Sequence, residues 1–383
     1  MNRLKWLTLI CVLALMLPVL SVSAQDDPVQ ITLVVNGVLG DKSFFDSAQR
    51  GADRAMDDFN VEVNTVELGI DPANWESGLD DVMADSDTYE VLIVGTFQMM
   101  EFLAARAHLY PDKVLILYDV SVPYEDPELC VEGCPNVYSI TYAQNEGSFL
   151  AGVYAGAVTG LDAEMMENVN ADPIIGAIGG QEIPVINDFI VGYKQGACLV
   201  NPETELIVQY AGGWNDPARG KEIALAMYEQ GADMVFQIAG GTGVGVFEAA
   251  EEQSLYAIGV DSDQATIILD TDPDQAERIL TSMMKNVDNS LYRAIELYVN
   301  DELPLGSAEA LGIAEGGVGL AYNDIYFDNT PDSVQSLIAA AEEAVVAGEI
   351  EVVSVFSGEP AEVAMGCDAF PASDFDAMAA MGG

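Results

Sequence analysis

From residue 31 onward the chain alternates short, continuous apolar runs with stretches in which apolar residues recur every three or four positions. ITLVVN (31–36), VEVNTVEL (61–68), EVLIVG (90–95) and KVLILYD (113–119) form a first series, each separated from the next by a stretch of helical pattern. Apolar runs of that length between polar turns predict buried strands, and the 3.6-residue periodicity between them predicts helices. In the first predicted helix Ala48, Ala52, Ala55, Met56 and Phe59 share one face. A second series follows: PIIGAIGG (173–180), LIVQYAG (206–212), ADMVFQIAGG (232–241) and YAIGVDSD (256–263). Strands that are apolar throughout and alternate with helices predict parallel sheets covered on both faces. The same β-α plan occurs twice, which predicts an α/β protein of two similar Rossmann-like lobes.

Between the two series lies PNVYSITYAQNEGSFLAGVYAG, a strand leading into a Gly- and Ala-rich helix; ILTSMMK with its helix and ALGIAEGGVGLAYN come after the second. These segments predict crossings that form a hinge. They assign residues 29–142 and about 276–308 to lobe 1, and 143–275 and about 309–383 to lobe 2. Two lobes joined by several crossings enclose a cleft, and ligands of open α/β sheets bind beyond the carboxyl ends of the strands.

The N-terminus sets the compartment. MNRLKWLTLICVLALMLPVLSVSAQDD places Arg3 and Lys5 ahead of an apolar stretch from Trp6 to Leu20 and ends on Val22-Ser23-Ala24, which predicts a secretory signal peptide over 1–24, cut after Ala24. A transmembrane anchor fits less well, because the run is short, contains Pro18 and lacks a basic stop-transfer flank. Cys11 follows Leu9-Ile10 in mid-run and does not indicate a lipid anchor. An exported protein, periplasmic or at the cell surface, is expected.

Charge narrows the partners. Removing Arg3 and Lys5 leaves 11 basic against 63 acidic residues, a net charge of −52. So acidic a surface repels phosphate backbones, so no nucleic-acid partner is expected. Cys130, Cys134, Cys198 and Cys367 remain after processing. An even number in an exported chain favours disulfides, and of the three possible pairings the expected one joins Cys130 to Cys134 across CVEGC and Cys198 to Cys367. A zinc site is the rival, but His108 is the single histidine and C-x3-C is a poor match to zinc spacing. No metal is expected.

The residues that follow the predicted strands carry the candidate chemistry. They are Gly37 to Phe45, then Gly95-Thr96-Phe97-Gln98 and Asp119 in the first half, and Gly179 to Pro184, Gly240-Gly241-Thr242-Gly243 and Asp261-Ser262-Asp263 in the second. Aromatics, carboxylates, amides and exposed glycine backbone together suit a neutral ring bearing hydroxyl groups. Asp261 is suited to a sugar diol, since a carboxylate accepts hydrogen bonds from neighbouring hydroxyls. Structural roles compete. One of Phe44 and Phe45 is expected in the core under the first helix, and Asp41 or Ser43 could cap that helix, with Asp46 in its first turn. Phe97, directly after a strand, is expected in the cleft. Lys42 and Lys285 are two of only six lysines.

Catalytic motifs are weak. GGTGVG (240–245) lacks the Lys-Ser/Thr of a phosphate-binding P-loop and is a poor dinucleotide loop in this position. There is no G-x-S-x-G elbow, and a serine triad would need His108, away from the strand ends. No enzyme activity and no cofactor are expected.

Taken in order, GDKSFFDSAQRG, NEGSFLAGVYAG, GGQEIPVINDFIVGYKQG, QGADMVFQIAGGTGVGV, IGVDSDQ and LTSMMKNVD resemble the basic membrane protein family of ABC-transporter substrate-binding proteins, in particular its purine nucleoside receptors. The resemblance runs from about residue 30 to about 325. It implies a type I periplasmic binding protein fold and a monomer that holds a nucleoside, a purine nucleoside first, in the inter-lobe cleft and delivers it to an ABC permease. By that resemblance Asp41, Lys42, Ser43 and Phe44 form one wall, with Phe44 against the base and Phe189 on its other face. It also places Asp261 and Lys285 on the ribose hydroxyls, Gly240 and Gly241 near the sugar, and Asp119 at a polar strand end. Gln98 and Phe97 complete the expected lining. The family usually carries an asparagine where this chain has Phe45, so an amide able to read a base edge is replaced by an apolar ring. Pyrimidine and modified nucleosides stay open, as do a sugar-binding or sensory receptor of the same fold and a nucleoside-processing enzyme.

Overall fold

A computed structural model describes residues 27–159, 161, 166–357, 362–371, 373 and 375–381. The signal peptide expected over 1–24 lies outside the described residues. The first half runs β1 (Val29–Val35), α1 (Phe44–Asp58), β2 (Val61–Glu67), α2 (Trp75–Ala84), β3 (Val91–Gly95), α3 (Met100–Ala107), β4 (Val114–Tyr118) and β5 (Val137–Tyr142). Helix α4 (Gln144–Val158) leads to the second half: β6 (Ile174–Gly179), α5 (Pro184–Val200), β7 (Glu205–Tyr210), α6 (Pro217–Glu229), β8 (Met234–Ile238), α7 (Val244–Gln253) and β9 (Tyr256–Asp261). Then come α8 (Gln264–Leu269), α9 (Pro273–Ala276), β10 (Ile279–Lys285), α10 (Val287–Val299), β11 (Ser307–Leu311), β12 (Val318–Leu320), α11 (Asp324–Asn329) and α12 (Asp332–Val346).

The two sheets have orders β11-β5-β4-β3-β1-β2 and β12-β10-β9-β8-β6-β7. Each places its first strand between the second and third, with Val29↔Val61 and Ile31↔Val91 in one sheet and Ile174↔Glu205 and Ile175↔Met234 in the other. All the ladders are parallel except the short pairing of β10 with β12. The doubled plan read from the apolar runs is therefore present, and in each lobe the strand order reverses beside the first strand. Strands β3 and β8 are buried along their whole length, as expected of strands covered by helices on both faces.

The expected boundary near residue 276 differs from the observed crossing. β10 pairs in parallel with β9, from Ile279↔Ala257 to Met284↔Asp261, and so extends the second sheet. The chain crosses only at Asn286, after which α10 packs on α1 and β11 pairs with β5. ILTSMMK is apolar enough to be a buried strand in either lobe, and only its partner decides which. The stretch after β11 returns the chain to β12 in the second sheet.

Helices α4 and α5 pack at the back of the cleft, and glycines let their backbones touch. A Cβ on Gly196 would stand 2.0 Å from the Phe149 carbonyl oxygen, and one on Gly152 would stand 1.9 Å from that of Tyr193. Beyond α12 the chain lies along this helix pair. Gln195 donates to the Glu351 carbonyl at 2.8 Å and accepts from the Val353 N–H at 2.9 Å, and Asn145 donates to the carbonyls of Val352 and Val353. The Cys198–Cys367 disulfide ties the tail to the end of α5, and Cys130–Cys134 closes its short loop, both as expected. Among the described residues no helix is long and apolar enough to cross a membrane.

Candidate functional site

The segment after β1 turns sharply before α1 begins, with Gly40 and Lys42 in the left-handed region at φ 94° and 54°. Carboxylates hold that turn. Asp41 accepts the N–H groups of Ser43 and Phe45 at 3.0 Å and of Asp46 at 3.1 Å, while Asp46 accepts those of Gly40 at 2.7 Å and Lys42 at 2.8 Å. Asp41 thus satisfies the orphan donors of the first turn of α1. Ser43 makes no capping bond; its hydroxyl donates at 2.5 Å to Asp261 in the other lobe. Burial raises the Asp41 carboxyl above its ordinary pKa, against the pull of those three N–H groups.

Opposite the turn, Asp119 after β4 and Asp261 at the end of β9 both adopt left-handed backbone, φ 78° and 63°. Lys285, at the end of β10 and 2% exposed, forms an ion pair with Asp119 across the cleft. Its ammonium lies 5.5 Å from the centroid of Phe44, 5.2 Å from Phe189 and 5.0 Å from Tyr142, within cation–π range of all three. One cation is therefore boxed by an aromatic ring from each side of the cleft. Burial pushes the Asp261 carboxyl up to about 7; Lys285 and the Ser43 hydroxyl pull it down, while Asp41 and Asp119 push it further up. Burial likewise raises Asp119, and Lys285 offsets it.

Asp41, Phe44, Phe45, Gln98, Asp119, Phe189, Gly240, Gly241, Asp261 and Lys285 line one cavity between the lobes. The cavity opens to solvent at the mouth of the cleft, and residues of both lobes line it. Three expected residues do not line it. Ser43 is buried behind Asp261, Lys42 contributes its carbonyl to Gln264 at 3.1 Å, and Phe97 is half-buried in the turn after β3. The core role expected for one of the phenylalanine pair is shared: Phe44 and Phe45 are both half-buried, both pack against the core and both line the cavity. At the start of a helix facing a cleft, adjacent side chains can splay to either side of the opening.

The lining also includes Ile70 and Trp75, which follow β2, and Trp214 and Asn215, which follow β7. The strand-end rule applied to VEVNTVEL and LIVQYAG reaches Ile70, Trp214 and Asn215, since GI and GWN come next in the sequence, whereas Trp75 lies further along. Further bonds hold the lobes together around the cavity. Ser262 donates to the Ser43 carbonyl at 3.1 Å, Arg50 donates to the Ser262 hydroxyl at 2.8 Å, and Gln98 donates to Gln181 at 3.4 Å. Among the described residues no cluster of His, Cys, Asp and Glu could hold a metal ion.

Two doubly wound lobes with a shared, enclosed polar and aromatic cleft define a type I periplasmic solute-binding protein. The chain belongs to the Bmp family, ABC transporter substrate-binding proteins of the PnrA-like type, whose model matches residues 28–352. The nucleoside-binding protein BmpA of a Lactococcus lactis ABC transporter is 30% identical over 281 residues, 71% of this chain and 73% of that one. Basic membrane protein D of Borreliella burgdorferi is 29% identical over 77% of this chain and 79% of its own. A crystal structure of an ABC transporter solute-binding protein from Aeropyrum pernix, 26% identical, superposes with a TM-score of 0.74 over 87% of this chain and 95% of that one. A solute-binding protein from Burkholderia graminis in complex with D-arabinose shares the fold at 14% identity and a TM-score of 0.55. ABC transporter substrate-binding proteins are exported, bind small molecules and deliver them to a permease.

Proposed function

We propose that this protein is a nucleoside receptor whose ribose is held by Asp261, Lys285 and Asp119 and whose base lies beside Phe44 and Phe189. The observation that carries this reading is the boxed ammonium of Lys285, which meets Asp119 and a phenylalanine from each side of the cleft. A cation held there offers hydrogen bonds to hydroxyls, while the rings beside it offer flat apolar faces; stacking on such faces contributes about 1–3 kcal/mol per base. The name of the Lactococcus lactis relative, a nucleoside-binding protein, supports the same class. The receptor acts as an exported monomer and hands its ligand to a membrane permease. Contacts made to both lobes at once stabilise the closed form, which is how ligand occupancy is signalled to the permease. Residue 45 gives the base edge a phenyl ring, so purine and pyrimidine nucleosides both remain candidates for the site.

Native mass spectrometry of freshly purified protein, followed by calorimetric titration with a nucleoside panel, tests the proposal. A copurifying mass equal to a nucleoside, or micromolar binding of any member of the panel, supports it. Binding of free pentose with no response to nucleosides overturns it in favour of a sugar receptor, and release of free base on incubation would mark an enzyme.

A further inference from the structure

The cavity is chemically lopsided, and the lopsidedness follows strand order in both sheets. On one side of β3 and β8 lie β4, β9 and β10, whose ends carry Asp119, Asp261 and Lys285. On the other side lie β1 and β2 in one sheet and β6 and β7 in the other. The segments that follow these four strands contribute Phe45, Ile70, Trp75, Ile186 and Trp214 to the lining. Asp41 follows β1 too, but its carboxylate is taken up by the backbone of its own turn.

Both lobes build the apolar side with the same device. A Cβ on Gly37 would stand 2.4 Å from the Phe45 ring, and one on Gly180 would stand 2.2 Å from the Trp214 ring. Each strand end therefore gives up its side chain so that an aromatic ring from a neighbouring segment can lie over it. Two polar groups nearby are engaged elsewhere, while Asn215, next to Trp214, also lines the cavity. The Trp75 indole N–H donates to the Gly69 carbonyl at 2.8 Å, and the Thr96 hydroxyl donates to the Asn36 side chain at 3.1 Å. A ring lodged here meets mainly indole, phenyl and isoleucine surface, with the Asn215 amide among the few groups able to read a hydrogen-bonding edge.

Building on the nucleoside reading, we infer that the preferred ligand is a nucleoside whose base carries an apolar substituent, such as an alkyl group, on the edge away from the sugar. The ribose lies at the charged side and the alkylated base on the Phe45, Trp75 and Trp214 side. A methylene added in a hydrophobic pocket changes discrimination by roughly 10–200-fold, so the lower end of that range is enough to order ligands.

The experiment is titration calorimetry of the purified protein with adenosine, N6-propyladenosine, uridine, 5-propyluridine and free ribose. At least one propyl nucleoside is expected to bind about tenfold or more tighter than its parent. That advantage is expected to fall towards parity in Trp214→Ala and in Ile70→Asn. Ile70 is 57% exposed, so its substitution leaves the fold intact even if loss of Trp214 does not. Parents that bind as tightly as their alkylated forms, or an advantage unchanged in Ile70→Asn and in a folded Trp214→Ala, overturn the inference and leave the nucleoside reading standing. Response to ribose alone overturns the nucleoside reading and this inference with it.

Discussion

The segments after β1 and β6 occupy the same place in their lobes, each joining a first strand to the helix that lines the cleft, yet different forces hold them. The first is held by charge: two aspartates accept five backbone N–H groups between them, and two residues sit at positive φ. The second is held by packing. Ile183 is extended, Pro184 opens α5 at its first turn without a side-chain cap, and Val185, Ile186, Phe189 and Ile190 are buried. Asp188, the carboxylate in that helix, turns away from the cleft to accept from Gln144, Ser354 and the Val355 N–H. One fold position, duplicated, thus presents Phe44 on an electrostatically organised turn and Phe189 on a rigid buried helix. The two segments present the same kind of ring to the cleft and differ in what fixes it, charge in the first and packing in the second.

The strongest way to test that division is to remove Lys285, the cation boxed between the two sides. Lys285→Met leaves Asp119 buried without its partner, and breaking a buried pair from one side costs about 3–5 kcal/mol. Chemical denaturation should show a loss of that size. A cost of about 1 kcal/mol or less, typical of an exposed ion pair, would mean that water already screens the site and that charge does not organise it.

A second effect, smaller and graded, comes from pH. Asp261 has an ordinary pKa near 3.8 in the unfolded chain and is pushed up to about 7 by burial in the folded one. Folding therefore takes up a proton between those values. The contribution is fully present below the unfolded pKa and is lost as pH rises through the folded one. At roughly 1.4 kcal/mol per unit of pKa, thermal stability measured from pH 5 to 8 should fall more steeply in the wild type than in Asp261→Asn. Parallel slopes would place the proton uptake on another group.

Much of the fold was legible because buried parallel strands are apolar along their whole length, and seven-residue runs such as KVLILYD leave little choice of element. Sheet membership was less so. β10 is almost wholly buried, as a strand of either lobe could be, and its place beside β9 is a long-range pairing that no local pattern records. The site was legible wherever a strand end was followed by a charged or aromatic residue, as at Asp119 and Asp261. It was missed after β2 and β7, where Trp75 lies eight residues beyond the strand and Trp214 four, so a helix start or a glycine turn intervenes. Phe97 shows the converse: proximity to a strand end does not aim a side chain, because the 3-10 turn that follows Thr96 decides which neighbour faces the opening, and here it is Gln98.

The smallest effect separates the two segments directly. Asp41→Ala exposes three N–H groups in a buried turn, and leaving such donors unpaired costs about 1–3 kcal/mol. Pro184→Ala removes only the preorganisation of a first helical position, worth about 0.4–1 kcal/mol, and the donor it restores is one that the helix leaves unbonded in any case. Unfolding free energies should therefore rank Asp41→Ala as the more damaging by a clear margin. Ligand affinity should follow the same order, since Asp41 fixes the start of α1 and with it Phe44, whereas α5 is kept in place by its buried face and Phe189 stays where it was. If Pro184→Ala weakened binding as much as Asp41→Ala, the packed segment would depend on its first turn after all, and the contrast between a charged and a packed side of the cleft would fail at its simplest point.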